Sequence, residues 1–145
     1  MTDQPTRQVH LTLPWPPSTN TYWRHTTKGV LISAAGRKYR EKVTAWVREQ
    51  FGVRPPRMAG RLAIVVEAFP PDRRRRDLDN LFKALLDAMQ YAGVYLDDSQ
   101  ADRLTIARRD TSAPGRVEVV VEEWTTWRRD KKRANGSFWS KGRSG

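Results

Sequence analysis

The sequence predicts a single α/β domain in which a mixed β-sheet carries two helices, followed by a basic C-terminal tail. Apolar and polar residues alternate in four segments, and apolar residues recur at helical spacing in two others. These segments succeed one another in the order βαβαββ, which is typical of α/β domains. Because 145 residues suffice for only one domain of ordinary size, we expect residues 1–126 to form the domain and residues 127–145 to form the tail.

The first strand and the first helix lie in the N-terminal third of the chain. Val9–Leu13 alternates as a short strand, and the prolines around Trp15 then interrupt pairing, because proline has no backbone N–H to donate. Ser33 is a suitable N-cap for a helix that runs to about Gln50, and Gly52 can end it. We expect an amphipathic helix, with a loop between it and the strand. Its apolar face consists of Tyr39, Val43, Trp46 and Val47.

The remaining strands and the second helix follow in the second half of the domain. Arg61–Phe69 alternates as a strand, and a helix is predicted from about Asp79 to Ala92, where a glycine follows. Leu104–Arg108 and Arg116–Glu123 have the pattern of strands. Residues 111–115 contain proline and glycine, so we predict that these last two strands pair as a hairpin.

The charge of the chain indicates a polyanionic partner. Lys and Arg number 27 against 16 Asp and Glu, a net charge of +11 in a chain of this size, and nucleic acid is the obvious candidate. There is no cysteine, which excludes disulfides and thiolate metal sites and suits a reducing cytosol. No apolar run exceeds the length of a strand, so we expect neither a signal peptide nor a membrane span.

The tail carries about half of this net charge. Residues 127–145 contain seven basic residues and one acid, together with several glycines and serines and no periodic apolar pattern. This composition predicts a disordered basic extension. Two interpretations remain open: an arm that grips DNA, or a solvated extension that takes no part in binding.

Two acids and four arginines stand where the second predicted strand leads into the second helix. In an extended segment, Asp77 and Asp79 would project to the same side and could converge on one hard cation, while Leu78 points into the core. The helix N-terminus that follows favours a phosphate nearby. Lys83 lies one turn after Asp79, where its ammonium can stabilise charge on a phosphoryl group. The arginines are Arg73, Arg74, Arg75 and Arg76.

A second pair of acids follows the second helix. A firmly held magnesium needs a third acid, and Asp97 and Asp98 offer one. A helix of about fourteen residues separates its ends by roughly 20 Å. The chain must therefore return towards the start of the helix if these acids are to join Asp77 and Asp79.

Structural roles are open for several of these residues. Asp79 could cap the second helix, and Asp97 and Asp98 could form a polar turn. The arginine run could be a solvated loop, although nearby acids or a phosphate would relieve the repulsion among four adjacent cations. Trp15 and the neighbouring Tyr22 and Trp23 could stack on an unpaired base or pack against the protein.

These motifs together resemble those of the RusA-type Holliday junction resolvases, over most of residues 9–123. The Arg-Asp-Leu-Asp-Asn run is specific, above all with an Asp-Asp pair at this distance downstream. The basic tail has no counterpart in the compact members of that family. The resemblance rests on four runs in the family's order: LPWPPSTN at residues 13–20, YWR at 22–24, DRRRRDLDNL at 72–81 with Lys83, and LDDSQ at 96–100.

The resemblance implies a homodimeric, Mg²⁺-dependent endodeoxyribonuclease with one or two ions, which resolves four-way junctions by paired symmetric nicks. It implies a cytoplasmic, nucleoid-associated protein of a bacterial or phage-infected cell. By residue, it implies catalytic Asp77, Asp79, Asp98 and Lys83; metal ligands Asp77, Asp79 and Asp98, with Asp97 as a further candidate; and DNA contacts from Arg73, Arg74, Arg75, Arg76, Asn20 and Arg24.

Two other classes of function are compatible with the sequence. A non-catalytic DNA-binding or architectural module would explain the charge and the aromatic residues, but would leave the acids in a basic loop unexplained. A magnesium nuclease that acts on flaps or replication forks would use the same residues on a different substrate.

Overall fold

The computed structural model describes residues 4–124, and its elements confirm the α/β fold class. Three helices, two of them long, and six strands follow one another in this part of the chain. A short 3₁₀ helix at Asp98–Gln100 precedes the fifth strand. The elements are β1 (Arg7–Pro14), α1 (Thr19–Tyr22), β2 (Trp23–Thr26), β3 (Gly29–Ile32), α2 (Ala34–Phe51), β4 (Arg61–Phe69), α3 (Asp79–Tyr91), β5 (Ala101–Arg108) and β6 (Arg116–Trp124).

The main sheet has four strands in the order β1-β6-β4-β5 and is mixed, as predicted. β6 lies between β1 and β4 and is antiparallel to both. β5 is parallel to β4, so β4, α3 and β5 form a βαβ unit. This unit places the segment between β4 and α3 at the same end of the sheet as the segment that follows β5.

The core lies between one face of the sheet and the helices α2 and α3. Alternate residues of β4 and β6 face it, because side chains of a strand point to opposite faces in turn. The helices contribute residues at helical spacing, as predicted. The fully buried members from these elements include Leu62, Ile64, Val66, Val117 and Val121 from the strands, and Val43, Val47, Leu85 and Met89 from the helices.

The predicted hairpin between the last two strands is wrong. β5 pairs with β4 at the edge of the sheet, and β4 stands between β5 and β6. The connection between them crosses the end of β4, where the N–H of Arg109 donates to Ala68 O (2.8 Å) and that of Ser112 to Pro70 O (2.7 Å). A turn sequence shows that the chain reverses, but it does not show whether a third strand lies in between.

The predicted loop after β1 also contains regular structure. Ser18 caps the single turn of α1, and β2 and β3 form a small separate hairpin. Neither element has a periodic pattern of buried residues: α1 is four residues long, and Val30 and Leu31 in β3 are exposed.

β6 ends at Trp124, the last described residue. The predicted tail, residues 127–145, therefore lies outside the described residues. Among residues 4–124, no helix is long and apolar enough to cross a membrane.

Candidate active site

The first candidate acids stand at the start of α3. Leu78 already has helical backbone angles (φ −62°, ψ −39°), so the predicted extended geometry from Asp77 to Asp79 is wrong. Asp77 precedes the helix, and Asp79 is its first residue. No side chain caps this helix, so Asp79 does not have the capping role that the sequence left open. Both acids are exposed.

Asp79 and Lys83 lie on one side of α3, because residues four apart are neighbours on a helix. Gln90, seven residues after Lys83, continues this stripe two turns further on. The Gln90 side chain accepts a hydrogen bond from the N–H of Asp98 (3.0 Å). The chain after α3 therefore returns to the stripe that carries Asp79 and Lys83, although residues 79 and 90 are about 16 Å apart along the helix axis.

The loop that carries Asp97 and Asp98 is held by Gln100, which is 8% exposed. The amide of Gln100 donates to Met58 O (3.0 Å) and Gly60 O (2.8 Å), and its oxygen accepts from the N–H of Asp97 (2.6 Å). Gln100 thus joins this loop to the segment before β4. It is a positioning residue that the sequence analysis missed.

The two acids of this loop have different roles in the structure. Asp97 caps the 3₁₀ helix, and its side chain accepts from the N–H of Ser99 (2.9 Å), which lowers its pKa. One carboxylate oxygen of Asp97 therefore has the structural role in a polar turn that the sequence left open. The carboxylate of Asp98 is exposed and has no hydrogen bond or ion pair within residues 4–124.

Replacing Gln100 by Ala is expected to destabilise the fold by about 1–3 kcal/mol, because the Gly60 carbonyl and the N–H of Asp97 lose the Gln100 side chain as their partner. It should also loosen the position of Asp98. Chemical denaturation would measure the stability. The Gln100→Glu variant keeps the acceptor for Asp97 but turns a charged oxygen towards the two carbonyls, so it should be at least as destabilised as Gln100→Ala, and the exposed Gln8→Ala is a neutral control. Equal stability of Gln100→Ala and the unmodified protein would contradict this role.

The candidate acids do not form a ready-made metal site in the single chain. Within residues 4–124, no three Asp, Glu or His side chains are grouped as metal ligands. Asp79 begins the stripe of α3, Asp98 follows the helix and is joined to the far end of that stripe at Gln90, and Asp77 faces the arginine loop, where it lines two grooves.

The arginine loop, residues 72–76, contains cations in two different environments. Arg76 is bound on several sides: it pairs with Asp72 (2.8 Å), lies 5.6 Å from the ring centroid of Trp15, and its carbonyl accepts two bonds from Arg108 (3.1 Å each). The pKa of Asp72 is lowered by the N–H of Arg74 and by Arg76. The structure thus gives Arg76 a role in shaping the loop.

The other three arginines of the loop are exposed to solvent. Arg74 is 78% exposed and reaches Asp72 only at 3.9 Å. Exposed guanidinium groups keep their donors for planar, bidentate contacts with phosphate. Arg73, Arg74 and Arg75 therefore keep donors that an anionic group could reach.

The loop separates two grooves that meet at Asp77. One of them, which we call the cationic groove, is formed by the arginine loop together with Arg108 and Arg109 at the end of β5. Arg108 and Arg109 were not among the residues predicted from the sequence, because their approach to the loop depends on the parallel pairing of β5 with β4. Arg109 forms an exposed ion pair with Glu67 (2.8 Å).

The second groove, which we call the aromatic groove, lies on the other side of the loop. Trp15 and Asn80 are among its walls, and neither stood among the predicted site residues. Gly115 allows the close approach of these segments: a Cβ there would lie 2.9 Å from the Pro71 side chain and 3.0 Å from that of Trp15. Its φ of +96° also favours glycine.

The structure places the two N-terminal candidates differently. Asn20 is exposed on α1, and α1 is fixed to the start of α3 by a hydrogen bond from Thr19 Oγ1 to Asn80 O (2.9 Å). Asn20 therefore lies near the acids that begin α3. Arg24 is exposed on β2 and lines neither groove.

Three side chains, one from each helix, join α1, α2 and α3. The Tyr22 hydroxyl donates to Asp87, and Arg40 pairs with the same carboxylate (2.8 Å). Burial and the bond to Asp87 raise the pKa of Tyr22. Tyr22 is fully buried, so the packing interpretation is correct for this aromatic residue.

Exposed acids beside a cationic surface, on an α/β domain of strong positive charge, are the arrangement expected of a nuclease that holds and hydrolyses a phosphate backbone. The chain belongs to the RusA family of endodeoxyribonucleases: the family model "Endodeoxyribonuclease RusA" matches residues 14–122. This confirms the resemblance found in the sequence.

Relatives with curated names agree with this assignment. The crossover junction endodeoxyribonuclease rusA of Enterobacteria phage 82 is 41% identical over 117 residues, which are 79% of this chain and 93% of that protein. The RusA proteins of Shigella sonnei and of Escherichia coli strain K12 are 41% and 40% identical over 116 residues, covering 78% of this chain and 92% of each relative.

Proposed function

We propose that this protein is a Mg²⁺-dependent endonuclease that resolves Holliday junctions and related branched DNA by paired symmetric nicks. The relatives from phage 82 and Escherichia coli are named crossover junction endodeoxyribonucleases, and the chain covers nearly all of their length. A protein with this substrate acts where bacterial and phage DNA is found, in the cytoplasm and at the nucleoid.

The observation that carries the proposal is the state of three carboxylates. Asp77, Asp79 and Asp98 are exposed and make no side-chain hydrogen bond or ion pair with any part of the chain between residues 4 and 124. Most other acids of this stretch are held by ion pairs or hydrogen bonds: Asp72, Asp87, Asp102, Glu67, Glu118, Glu123 and Asp97. Glu41, Glu49, Asp110 and Glu122 are also unengaged, so what sets Asp77 and Asp79 apart is that they begin α3 directly after the arginine loop.

Unengaged carboxylates are unfavourable on a surface that binds DNA, because they repel the phosphates that the arginines attract. A divalent cation reverses this effect, since it is bound by carboxylates and phosphates together. A metal-dependent nuclease therefore accounts for acids and arginines at one place, whereas an architectural module accounts only for the arginines.

The residues present fit Mg²⁺. Carboxylate oxygens are its preferred protein ligands, and the ion is commonly held by one or two carboxylates, several waters and the phosphates of the substrate. A preformed group of three acids is therefore not required before DNA binds. When bound, the ion would activate water and stabilise charge on the phosphoryl oxygens. We propose Asp77, Asp79 and Asp98 as its ligands, with the free oxygen of Asp97 as a further candidate, for one or two ions.

The basic residues have separate roles in this proposal. We propose that Lys83, exposed one turn after Asp79, places its ammonium near the reacting phosphate. The exposed Arg73, Arg74 and Arg75 hold the DNA backbone, and Arg76 mainly fixes the loop that presents them. Asn20 and Arg24 extend the contact surface on the N-terminal side.

A homodimer is expected, because two symmetric cuts require two sets of acids and the described chain contains one such set. Light scattering at micromolar concentration should give twice the mass of the chain. A monomer that still makes both cuts within one binding event would contradict this expectation.

Deleting residues 127–145 is expected to weaken binding to junctions and linear duplex alike, because the tail's cations can contact phosphates without reading shape. Cleavage should persist. The slope of log K against log salt should flatten by roughly 0.9 for each phosphate that the tail neutralises. A variant that keeps the tail's length but replaces its basic residues by Gln should behave as the deletion does, and an unchanged slope would show that the tail does not touch the DNA.

The direct test of the proposed function uses purified protein with a labelled four-way junction, a flap and a linear duplex of matched sequence, in Mg²⁺ or EDTA. We expect the junction to be cut at symmetric positions, only in Mg²⁺, and much faster than the other substrates. Preferential cutting of the flap would identify a nuclease of different specificity, and binding without cutting of any substrate would identify a non-catalytic module.

A further inference from the structure

Lys83 stands between two acids on the surface of α3. Asp79 lies one turn before it and Asp87 one turn after it, and residues four apart on a helix are close enough to form ion pairs. Lys83 is nevertheless exposed, and it forms no ion pair or side-chain hydrogen bond among the described residues 4–124. Asp79 is a proposed metal ligand, so an ion bound there would engage its carboxylate. Asp87 is then the acid of α3 that Lys83 could still reach.

Asp87 does not pair with Lys83, because two residues from the other helices hold it. The Tyr22 hydroxyl donates to Asp87 Oδ2, and Arg40 donates to the same oxygen from Nε (2.9 Å) and Nη2 (2.8 Å). The side chains of Arg40 and Asp87 are both 23% exposed. Partial burial strengthens an ion pair relative to a pair in water. The charge of Asp87 is thus balanced by a cation that comes from α2.

Arg40 is itself fixed in this position by further contacts. Its guanidinium lies 4.8 Å from the ring centroid of Tyr91, which ends α3, and its Nε lies within hydrogen-bonding distance of the Tyr22 hydroxyl (3.3 Å). A cation over an aromatic ring is attracted by the electrons of its face. Ordinary surface ion pairs are weak partly because both side chains lose rotamer freedom when they pair. Arg40 is held before it pairs, so its hold on Asp87 is firmer than that of an ordinary surface cation.

We propose that Arg40 and Tyr22 are positioning residues for cleavage, because they engage the Asp87 carboxylate and so leave the Lys83 ammonium free for the reacting phosphate. This inference rests on the proposed function, and within it on the role of Lys83. Without Arg40, an unbalanced carboxylate would lie one turn from Lys83, the single cation of α3. Pairing would neutralise the ammonium and turn it along the helix, away from Asp79.

The test first removes Arg40 alone. Arg40→Met keeps an unbranched side chain beside Tyr91 but removes the charge and the donors. Single-turnover cleavage of a four-way junction at saturating protein should slow by roughly two- to fivefold, the range expected when a weak ion pair holds part of the Lys83 population. Junction affinity in EDTA should change little. The matched control is Arg48→Met, which removes an exposed arginine from the same helix and should not slow cleavage.

A second substitution distinguishes this role from a purely structural one. Adding Asp87→Asn to Arg40→Met removes the carboxylate that would capture Lys83, so the cleavage rate should recover although the contacts between the helices are disrupted further. In a Lys83→Ala background, Arg40→Met should cause no additional loss of rate, because no ammonium is left to capture. A structural role predicts the opposite order, with the Arg40→Met, Asp87→Asn double variant the slower of the two. Thermal unfolding would confirm that each variant is folded.

A separate measurement follows Lys83 itself, without DNA or metal. Acetic anhydride reacts with lysines that have lost their proton, and an ammonium held by a carboxylate loses its proton less readily. Limited acetylation read by mass spectrometry should therefore show slower modification of Lys83 in Arg40→Met than in the unmodified protein. Adding Asp87→Asn should restore the modification. Lys42, exposed on α2, is the internal reference in every sample.

The results separate this inference from the proposed function. If the unmodified protein cuts no junction, the proposed function is wrong, and acetylation alone decides whether Arg40 keeps Lys83 free. If Lys83→Ala cuts junctions at the normal rate, Lys83 needs no protection and this inference is wrong. It is also wrong if Asp87→Asn fails to restore the rate of Arg40→Met, or if Arg40→Met leaves the acetylation of Lys83 unchanged.

Discussion

Replacing Asp77 by Asn is expected to abolish junction cleavage while junction binding stays the same or becomes tighter. The amide has nearly the same shape, but it lacks the negative charge that makes a carboxylate a strong magnesium ligand. Loss of the charge stabilisation that a bound ion provides should slow single-turnover cleavage by roughly a thousandfold or more. Binding should not suffer, because the arginines hold the DNA and a repulsive charge has been removed.

Single-turnover cleavage in Mg²⁺ and gel shift in EDTA measure the two parts separately. Asp79→Asn and Asp98→Asn should show the same pattern as Asp77→Asn. The control is Glu49→Gln, which removes the same charge from an exposed position on α2. If Asp77→Asn cuts at the rate of the unmodified protein, the metal-site proposal is wrong; if it fails to bind junctions, Asp77 has a structural role.

Replacing Lys83 by Ala is expected to slow cleavage by about a hundredfold, which is typical when one group that stabilises developing charge is removed. Lys83 is exposed on the stripe of α3 that begins with Asp79. An ammonium has no lone pair and cannot ligate the metal. The Mg²⁺ concentration that gives half-maximal rate should therefore change little, and the plateau rate should fall.

Titrating Mg²⁺ under single-turnover conditions distinguishes a lower plateau rate from a higher Mg²⁺ requirement. Lys83→Arg keeps the positive charge and should recover part of the rate, and Lys42→Ala removes a matched exposed lysine from α2. A Lys83→Ala variant whose plateau rate is normal but whose Mg²⁺ requirement is greatly raised would contradict the proposed role.

The sequence pattern predicted the elements whose residues alternate between core and solvent. Both long helices and four strands were identified because each has a continuous apolar face, as in β4 and α3. The pairing of β5 was not predictable. A strand's pattern shows which face is buried but not which strand lies beside it. The pattern of β5 is compatible with pairing to β6, as predicted, and with pairing to β4, as observed.

The candidate acids and lysine could be chosen from the sequence, since their spacing and the motifs around them are local features. The position of Asp98 depends on two tertiary contacts. Gln90 on α3 accepts from the N–H of Asp98, and Gln100 joins the loop to Met58 in the segment before β4. The two grooves depend on tertiary contacts in the same way. Arg108 reaches the arginine loop only because β5 runs parallel to β4, and Trp15 reaches it through the close packing at Gly115.

The central claim is that this protein resolves four-way junctions by paired nicks, and a supercoiled plasmid that extrudes a cruciform tests it most directly. Both cuts made within one binding event convert the circle to a linear molecule with ends at the base of the cruciform. We predict linear product from the start of the reaction, in Mg²⁺ and not in EDTA. Accumulation of nicked circle alone, or no cutting of the cruciform at all, would contradict the account.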